Sequence, residues 1–228
     1  MGLSALALDW RRRLRLRRAP PGPLRDYFAA PFPDPGRDYR EVELLAVDLE
    51  TTGFDPRQDQ ILSIGYVCVR GPCIDLSSAR HHTIRIDRAI PEASAVIHQI
   101  TDDQAAGGED LADAMQTFLA ALAGRVMIAH YAHVERGFLN AACQRLYGRG
   151  LMTLVVDTLL LAQRRLERRD VPYSPGDLRL HALGARYNLP RYGAHNALSD
   201  ALAAAELFLA QAAHHDDGRR LPLRTFLC

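Results

Sequence analysis

Two carboxylates, Asp48 and Glu50, stand two residues apart at the end of an apolar run over residues 44–49. Side chains alternate along a β-strand, so a spacing of two puts both acids on one face. Side by side they repel each other unless a cation sits between them. Hard divalent ions such as Mg2+ or Mn2+ prefer oxygen ligands of this kind. Thr51, Thr52 and Gly53 follow and predict a tight turn beside the acids. A second combination is His195 with Asp200. On a helix beginning near Asn196, Asp200 lies one turn in, and His195 sits just before the helix, able to face the same space. A histidine near a metal-bound carboxylate can take a proton from water at neutral pH. Alone this spacing says little; beside the first pair it becomes a candidate site. A further acid, Glu135, projects from the first turns of a predicted helix and, taken alone, reads as a solvated helix acid.

These residues need elements to hold them together. Apolar runs at residues 44–49 and 61–69, and a third stretch near 79–86, predict three strands joined by short turns, hence an antiparallel meander. Helical periodicity covers residues 110–123, followed by a strand at 126–129 and a helix at 133–147. A brief strand at 155–156 leads into a helix at 158–168, and two more helices fit residues 179–187 and 197–213. The order β-β-β-α-β-α-β-α predicts an α/β fold with a mixed sheet, three antiparallel strands and then parallel crossovers, flanked by helices. No glycine-rich phosphate loop is present, and the hairpin-first order argues against a plain doubly wound nucleotide-binding fold.

Residues 1–40 have a different character. Ser4 is placed to cap a short helix carrying Arg11, Arg12, Arg13, Arg15, Arg17 and Arg18. The Pro- and Gly-rich stretch after it is expected to be extended and irregular. The division is therefore an Arg- and Pro-rich extension over residues 1–40, a main domain over 41–213 and a short tail over 214–228. On that division, removal of residues 1–40 leaves the domain folded.

The chain has 228 residues, 48% of them hydrophobic, enough for one domain with a full core. No apolar run approaches the ~20 residues of a membrane helix, and the N-terminus lacks the layout of a secretory signal. A cytoplasmic protein with no membrane partner is expected. The scattered Cys68, Cys73, Cys143 and Cys228 read as free thiols. Net charge is +1 and every basic residue apart from histidine is arginine, a side chain whose planar fork suits phosphate. His130, His133 and Glu135 invite a zinc reading, but His130 falls at a strand end and no further ligand is placed. His81, His82, His214 and His215 read as surface residues, and the arginines at 164–169 as a solvated helix face.

Taken together the blocks resemble the DEDDh exonucleases, an RNase H-like group that includes the proofreading subunits of bacterial replicases. The family's first block reads D-x-E-T-T-G, matched by residues 48–53; its second reads A-H-N-x-x-F-D-x-x-F-L, aligned with residues 129–139; its third is H-x(4)-D, met by His195 and Asp200. Residues 96–101 are similar to a V-H-G-I-T element, and Asp157 opens a D-T-L element. The resemblance spans roughly residues 41–209. It implies that Asp48, Glu50 and Asp200 hold two Mg2+ or Mn2+ ions, with Asp48 bridging, and that His195 is the general base. It also implies that Thr51, Thr52 and an apolar wedge near Ile100 grip the terminal nucleotide. Phe138 is a core residue by periodicity and, in the second block, a further candidate for substrate contact.

Two positions depart from the pattern. The second-block Asp is Glu135 here, one methylene longer and still able to serve the metal site directly or through water. The block's Asn is Tyr131, which can stack on a base or pack. The activity implied is 3′–5′ hydrolysis of single-stranded DNA to nucleoside 5′-monophosphates. The same chemistry on RNA or short oligoribonucleotides is an alternative, as is a catalytically idle nucleic-acid-binding module. Single-stranded nucleic acid is the implied partner, with a polymerase or another protein as a possible partner of residues 1–40. Only 28 residues follow Asp200, little room for the long tail that tethers replicase proofreading subunits, so a stand-alone or N-terminally tethered enzyme is expected.

Overall fold

The computed structural model describes residues 5–86, 107–193, 196–215 and 220–228. Its centre is a five-stranded sheet built from β1 (Glu43–Thr51), β2 (Ile61–Arg70), β3 (Cys73–Thr83), β4 (Val126–Ala129) and β5 (Val155–Asp157). Their order across the sheet is β3-β2-β1-β4-β5. The β1–β2 and β2–β3 pairs are antiparallel, whereas β1–β4 and β4–β5 are parallel. This is the α/β arrangement expected, three antiparallel strands followed by crossovers. The helices are α1 (Ala5–Arg18), α2 (Pro23–Ala29), α3 (Leu111–Leu122), α4 (His133–Tyr147), α5 (Thr158–Arg168), α6 (Leu180–Arg186) and α7 (Ala197–Ala213).

Alternation along β1 separates two cores. Leu45, Val47 and Leu49 point to one face and pack with Met115 and Phe118 of α3 and Leu139 of α4. Leu44 and Ala46 point to the other and pack with Ala205 and Phe208 of α7. Asp48 and Glu50 continue the second series, so the face that is apolar at the start of β1 becomes acidic at its end, under the first turn of α7.

β3 begins and ends earlier than its sequence suggested. It is a sheet edge whose residues are mostly exposed or half-buried, so no apolar alternation marks it. Pairing with β2 sets its limits, from Arg70 opposite Cys73 to Ser63 opposite Thr83.

The two ends of the chain correct the expectations made for them. The helix carrying the Arg cluster is present as α1, although Ser4 lies outside the described residues. The stretch after it is not irregular throughout, because Pro23–Ala29 is helical. Proline is tolerated in a helix's first turn, where its missing N–H costs nothing. Leu24, Tyr27 and Phe28 of α2 are each 1% exposed and belong to the same cluster as β1 and α3. The Tyr27 hydroxyl donates to the Met152 carbonyl at 3.0 Å. The buried Arg12 guanidinium donates to the Phe28 carbonyl and is held by Asp9, locking α1 onto α2. Residues 1–40 therefore contribute core, which argues against the expectation that the domain folds without them.

Residues 220–228 are likewise no loose tail. Leu223 and Phe226 are fully buried, and the Phe226 ring lies 5.0 Å from Tyr39 and 5.4 Å from Phe208. All four cysteines are free thiols. Among the described residues no helix is long and apolar enough to cross a membrane.

Candidate active site

Asp48, Glu50 and Asp200 come together where β1 meets α7. One carboxylate oxygen from each lies within 4.8 Å of the others, an arrangement able to hold a metal ion. Glu50 is buried, while Asp48 and Asp200 are partly exposed. Glu135, in the first turn of α4, is 4% exposed. It stands outside that group of three, but its charge reaches it. Desolvation pushes the Asp48 carboxyl well above the usual carboxylate range, and the charges of Glu135, Glu50 and Asp200 push it further. Burial likewise raises Glu135 to about 8, with Asp157 and Glu50 adding to the rise. Its Oε2 has no hydrogen-bond partner among the described residues. A buried carboxylate oxygen without a donor, facing further acids, is costly unless a cation or a proton neutralises it. The donor set, all carboxylate oxygen, suits hard divalent ions.

Gly65 is what brings Asp200 to β1. It pairs with Asp48 across the sheet, and a Cβ there would strike the Ala197 carbonyl group and the Leu198 nitrogen. The N-terminal turn of α7 thus rests directly on the backbone of β2. Asn196 caps that turn by accepting the Ser199 N–H at 3.1 Å, and Asp200 follows one turn in. Gly65→Ala is expected to lift α7 from the sheet, lowering stability by about 1–3 kcal/mol and weakening divalent-ion binding. Calorimetric titration with Mn2+ beside thermal melting checks both; wild-type affinity in the variant would show that the close approach is dispensable.

At the other side of the site the chain leaves β4 through Tyr131, whose φ is 62°. This left-handed conformation is unfavourable for a bulky side chain. It is held by Asp157, whose carboxylate accepts the N–H groups of Tyr131 and Ala132 at 3.1 and 2.9 Å. The same carboxylate caps α5 through the N–H groups of Leu159 and Leu160. One buried acid therefore fixes the starts of two helices, and with α4 the position of Glu135. Tyr131 itself is 52% exposed. Asparagine tolerates the left-handed region, so Tyr131→Asn is expected to raise stability by up to ~1 kcal/mol, measured by chemical denaturation; a loss would mean the ring is held by packing.

The turn after β1 is tied by Asp59. Its carboxylate accepts from Asp55 N–H and the Thr52 hydroxyl, and a Cβ on Gly53 would strike it. The Thr51 hydroxyl donates to the Gly53 carbonyl. Both threonine side chains thus serve the turn, and the Thr52 N–H closes it by donating to the Gln60 carbonyl at 3.0 Å.

The structure gathers Asp48, Glu50 and Asp200, with Glu135 near enough for its charge to act on Asp48. Thr51, Thr52 and Tyr131 lie on the segments that flank them. Phe138 is 3% exposed and belongs to the core cluster, as its periodicity suggested. His195, Ile100 and residues 96–101 lie outside the described residues. His130 does not join His133 as a zinc pair; its Nδ1 is 2.8 Å from the Thr158 hydroxyl, and His133 is exposed. Sequence reasoning missed His181 on α6, whose Nε2 is 3.6 Å from Asp200 Oδ1. Nothing in its local sequence marks it, since a fold-level contact brings α6 to α7. The cap made by Asp157 was legible as an Asp immediately before a helix.

The profile of the exonuclease family matches residues 45–208, from β1 into α7. The chain belongs to the DEDDh exonuclease family. It is 33% identical over 182 residues to the DNA polymerase III subunit epsilon of Treponema pallidum, covering 78% of this chain and 80% of that protein. It is 29% identical over 171 residues to the PolC-type DNA polymerase III of Thermotoga maritima, covering 75% of this chain but only 12% of that much longer relative. Among solved structures, exonuclease X in complex with 5′-overhanging duplex DNA superposes with a TM-score of 0.60 at 23% identity, covering 80% of this chain and 98% of that one. That likeness supports the RNase H-like fold.

Proposed function

We propose that this exonuclease removes nucleotides one at a time from the 3′ end of single-stranded DNA, with two divalent ions, Mg2+ or Mn2+, as cofactors. The observation that carries the reading is the convergence of Asp48, Glu50 and Asp200 within 4.8 Å, with the charge of buried Glu135, whose Oε2 has no hydrogen-bond partner among the described residues, acting on the same group. Asp48, Glu50 and Asp200 would hold the ions, and Glu135 would serve the more weakly held one. When bound, divalent ions supply the charge that stabilises the attacking and leaving oxygens of a phosphodiester displacement. His195, five residues before Asp200, would accept the proton of the attacking water. The turn at Thr51 and Thr52 offers backbone groups to the terminal nucleotide, and the exposed Tyr131 ring offers a stacking face. Ile100 is the proposed apolar wedge.

DNA is favoured because the relatives named above are DNA polymerase III proteins, and the superposing exonuclease X was captured with DNA. A polymerase partner and a cytoplasmic setting are proposed on the same ground. Parallel digestion of DNA and RNA 20-mers of one sequence, with Mg2+ or Mn2+, tests the reading. Faster DNA hydrolysis is expected; faster RNA hydrolysis would reassign the substrate, and binding of either strand without hydrolysis would leave a nucleic-acid-binding module.

The acids also dictate how stability responds to pH. Glu135 is raised in the fold from an ordinary 4.5 to about 8, so between those values the folded state keeps a proton that the unfolded chain releases. Stability contributed by the protonated form is full below about 4.5 and is lost as pH rises through about 8. Asp48, also raised, acts in the same direction. Metal-free protein is expected to melt at falling temperature as pH rises through this window, and Mn2+ should restore the loss at the alkaline end. Glu135→Gln should flatten the metal-free profile; an unchanged slope would show that Glu135 is solvated.

A further inference from the structure

α1, which precedes the family match, lines two cavities together with α4 and the segment that follows it. A cavity of about 500 Å3 is lined by Trp10, Arg11, Arg15 and Arg18 of α1 together with Arg149 and Met152. A second, of about 430 Å3, is lined by Arg15 and Met152 again, with His133, Arg136 and Asn140 of α4. Arg15 and Met152 line both, so the two adjoin and together form a furrow. On the second, the His133 ring lies 6.1 Å from that of Tyr131, on the segment that flanks the site.

The charge in this furrow is not neutralised by the chain's own acids. Asp9, the acid of α1, is taken up by Arg12 and Arg13 on another side of the helix. Among the described residues Arg11, Arg15, Arg18, Arg136 and Arg149 enter none of the ion pairs with carboxylates. Two of them are positioned by backbone carbonyls instead: Arg15 donates to Gly150 at 2.9 Å and Arg149 to Arg18 at 3.3 Å. Those bonds orient the guanidinium groups without cancelling their charge. Trp10 is 65% exposed among them, which solvent alone does not favour. Arginines spaced along a groove with an aromatic face between them suit a single nucleic-acid strand, its phosphates on the guanidinium groups and a base on the indole. An acidic protein segment would use the arginines but not the continuity with Tyr131.

We propose that this furrow carries the single strand upstream of its 3′ end, from Tyr131 past His133 and Arg136 to Arg15, Arg11, Arg149 and Trp10. The proposal rests on the nuclease reading for the direction in which the strand enters. It makes α1 a length sensor: a dinucleotide fills only the carboxylate site, whereas a longer strand gains the furrow as well.

The test compares a dinucleotide with a fluorescein-labelled 20-mer on the full chain. For Arg11→Glu/Arg15→Glu/Arg149→Glu we expect KM for the 20-mer to rise at least ~10-fold and kcat/KM for the dinucleotide to change less than about twofold. Anisotropy of the 20-mer in chelator should show the slope of log K against log salt falling by about 2, three phosphate contacts at roughly 0.7 each. Trp10→Ala, an exposed position that the fold does not need, should weaken 20-mer binding roughly 5- to 100-fold, which keeps the test valid if the triple variant is unstable. Unchanged 20-mer affinity and salt slope in a folded triple variant would overturn the proposal. So would binding of polyglutamate in preference to the 20-mer. If wild-type protein hydrolyses neither substrate, the nuclease reading fails, and the anisotropy arm still decides the furrow.

Discussion

Asp200→Ala is expected to lower turnover at least ~100-fold, because removing one ligand of a two-ion site weakens charge stabilisation at both oxygens of the displacement. Asp48→Ala should do the same, since Asp48 lies between Glu50, Asp200 and Glu135 in the electrostatics of the site. Neither change should unfold the protein. Both residues are partly exposed, and each removes a like charge from a crowded acidic group, so metal-free melting temperature should hold or rise. Steady-state hydrolysis of a labelled oligonucleotide and thermal melting in chelator read the two effects separately. Near wild-type turnover in either variant would remove the carboxylates from the chemistry, and a large fall in metal-free stability would make them structural.

Deletion of residues 1–40 is expected to abolish cooperative folding. The segment takes away Leu24, Tyr27 and Phe28, each 1% exposed, from the cluster that backs β1. Truncating one buried Leu or Phe to Ala costs about 2–5 kcal/mol. Three such losses together are comparable to the roughly 5–15 kcal/mol by which a domain is stable. The loss of Tyr27 also strips the Met152 carbonyl of its donor. Phe28→Ala alone should lower stability by about 3–5 kcal/mol, measured by urea unfolding with circular dichroism. A deleted chain that unfolds cooperatively at the wild-type midpoint would contradict this packing.

The sheet and most helices were legible because each buries one face and leaves a period in the sequence. α4 and α7 begin and end where their patterns do, and the alternation in β1 by itself puts Asp48 and Glu50 on one face. What escaped was set by contacts distant in sequence. α2 is short and Pro20, Pro21, Gly22 and Pro23 at its start mimic a loop, so only the burial of Tyr27 and Phe28 in the core cluster identifies it as core. The edge strand β3 carries polar residues on both faces and owes its extent to β2. Phe226, near the chain's end, gains its role only from Tyr39 and Phe208. At the site, residue types identified the acids, but not the means of bringing them together. Gly65 has no chemical signature, and its importance appears only when α7 is seen lying on it. The strain at Tyr131 and the hold that Asp157 takes on the N–H groups of Tyr131 and Ala132 follow from the chain's path between β4 and α4, which no local pattern encodes.

The central claim, metal-dependent removal of nucleotides from a 3′ end, is tested most directly by the position of a label. A single-stranded DNA 20-mer carrying the label at its 5′ end, incubated with Mn2+ and the full chain, is expected to shorten in a ladder of single-nucleotide steps. The same strand labelled on its 3′-terminal nucleotide should release that label at once as a mononucleotide, and chelator should stop both reactions. Early release of a 5′-labelled mononucleotide, internal cuts without a ladder, or hydrolysis that persists in chelator would contradict the account.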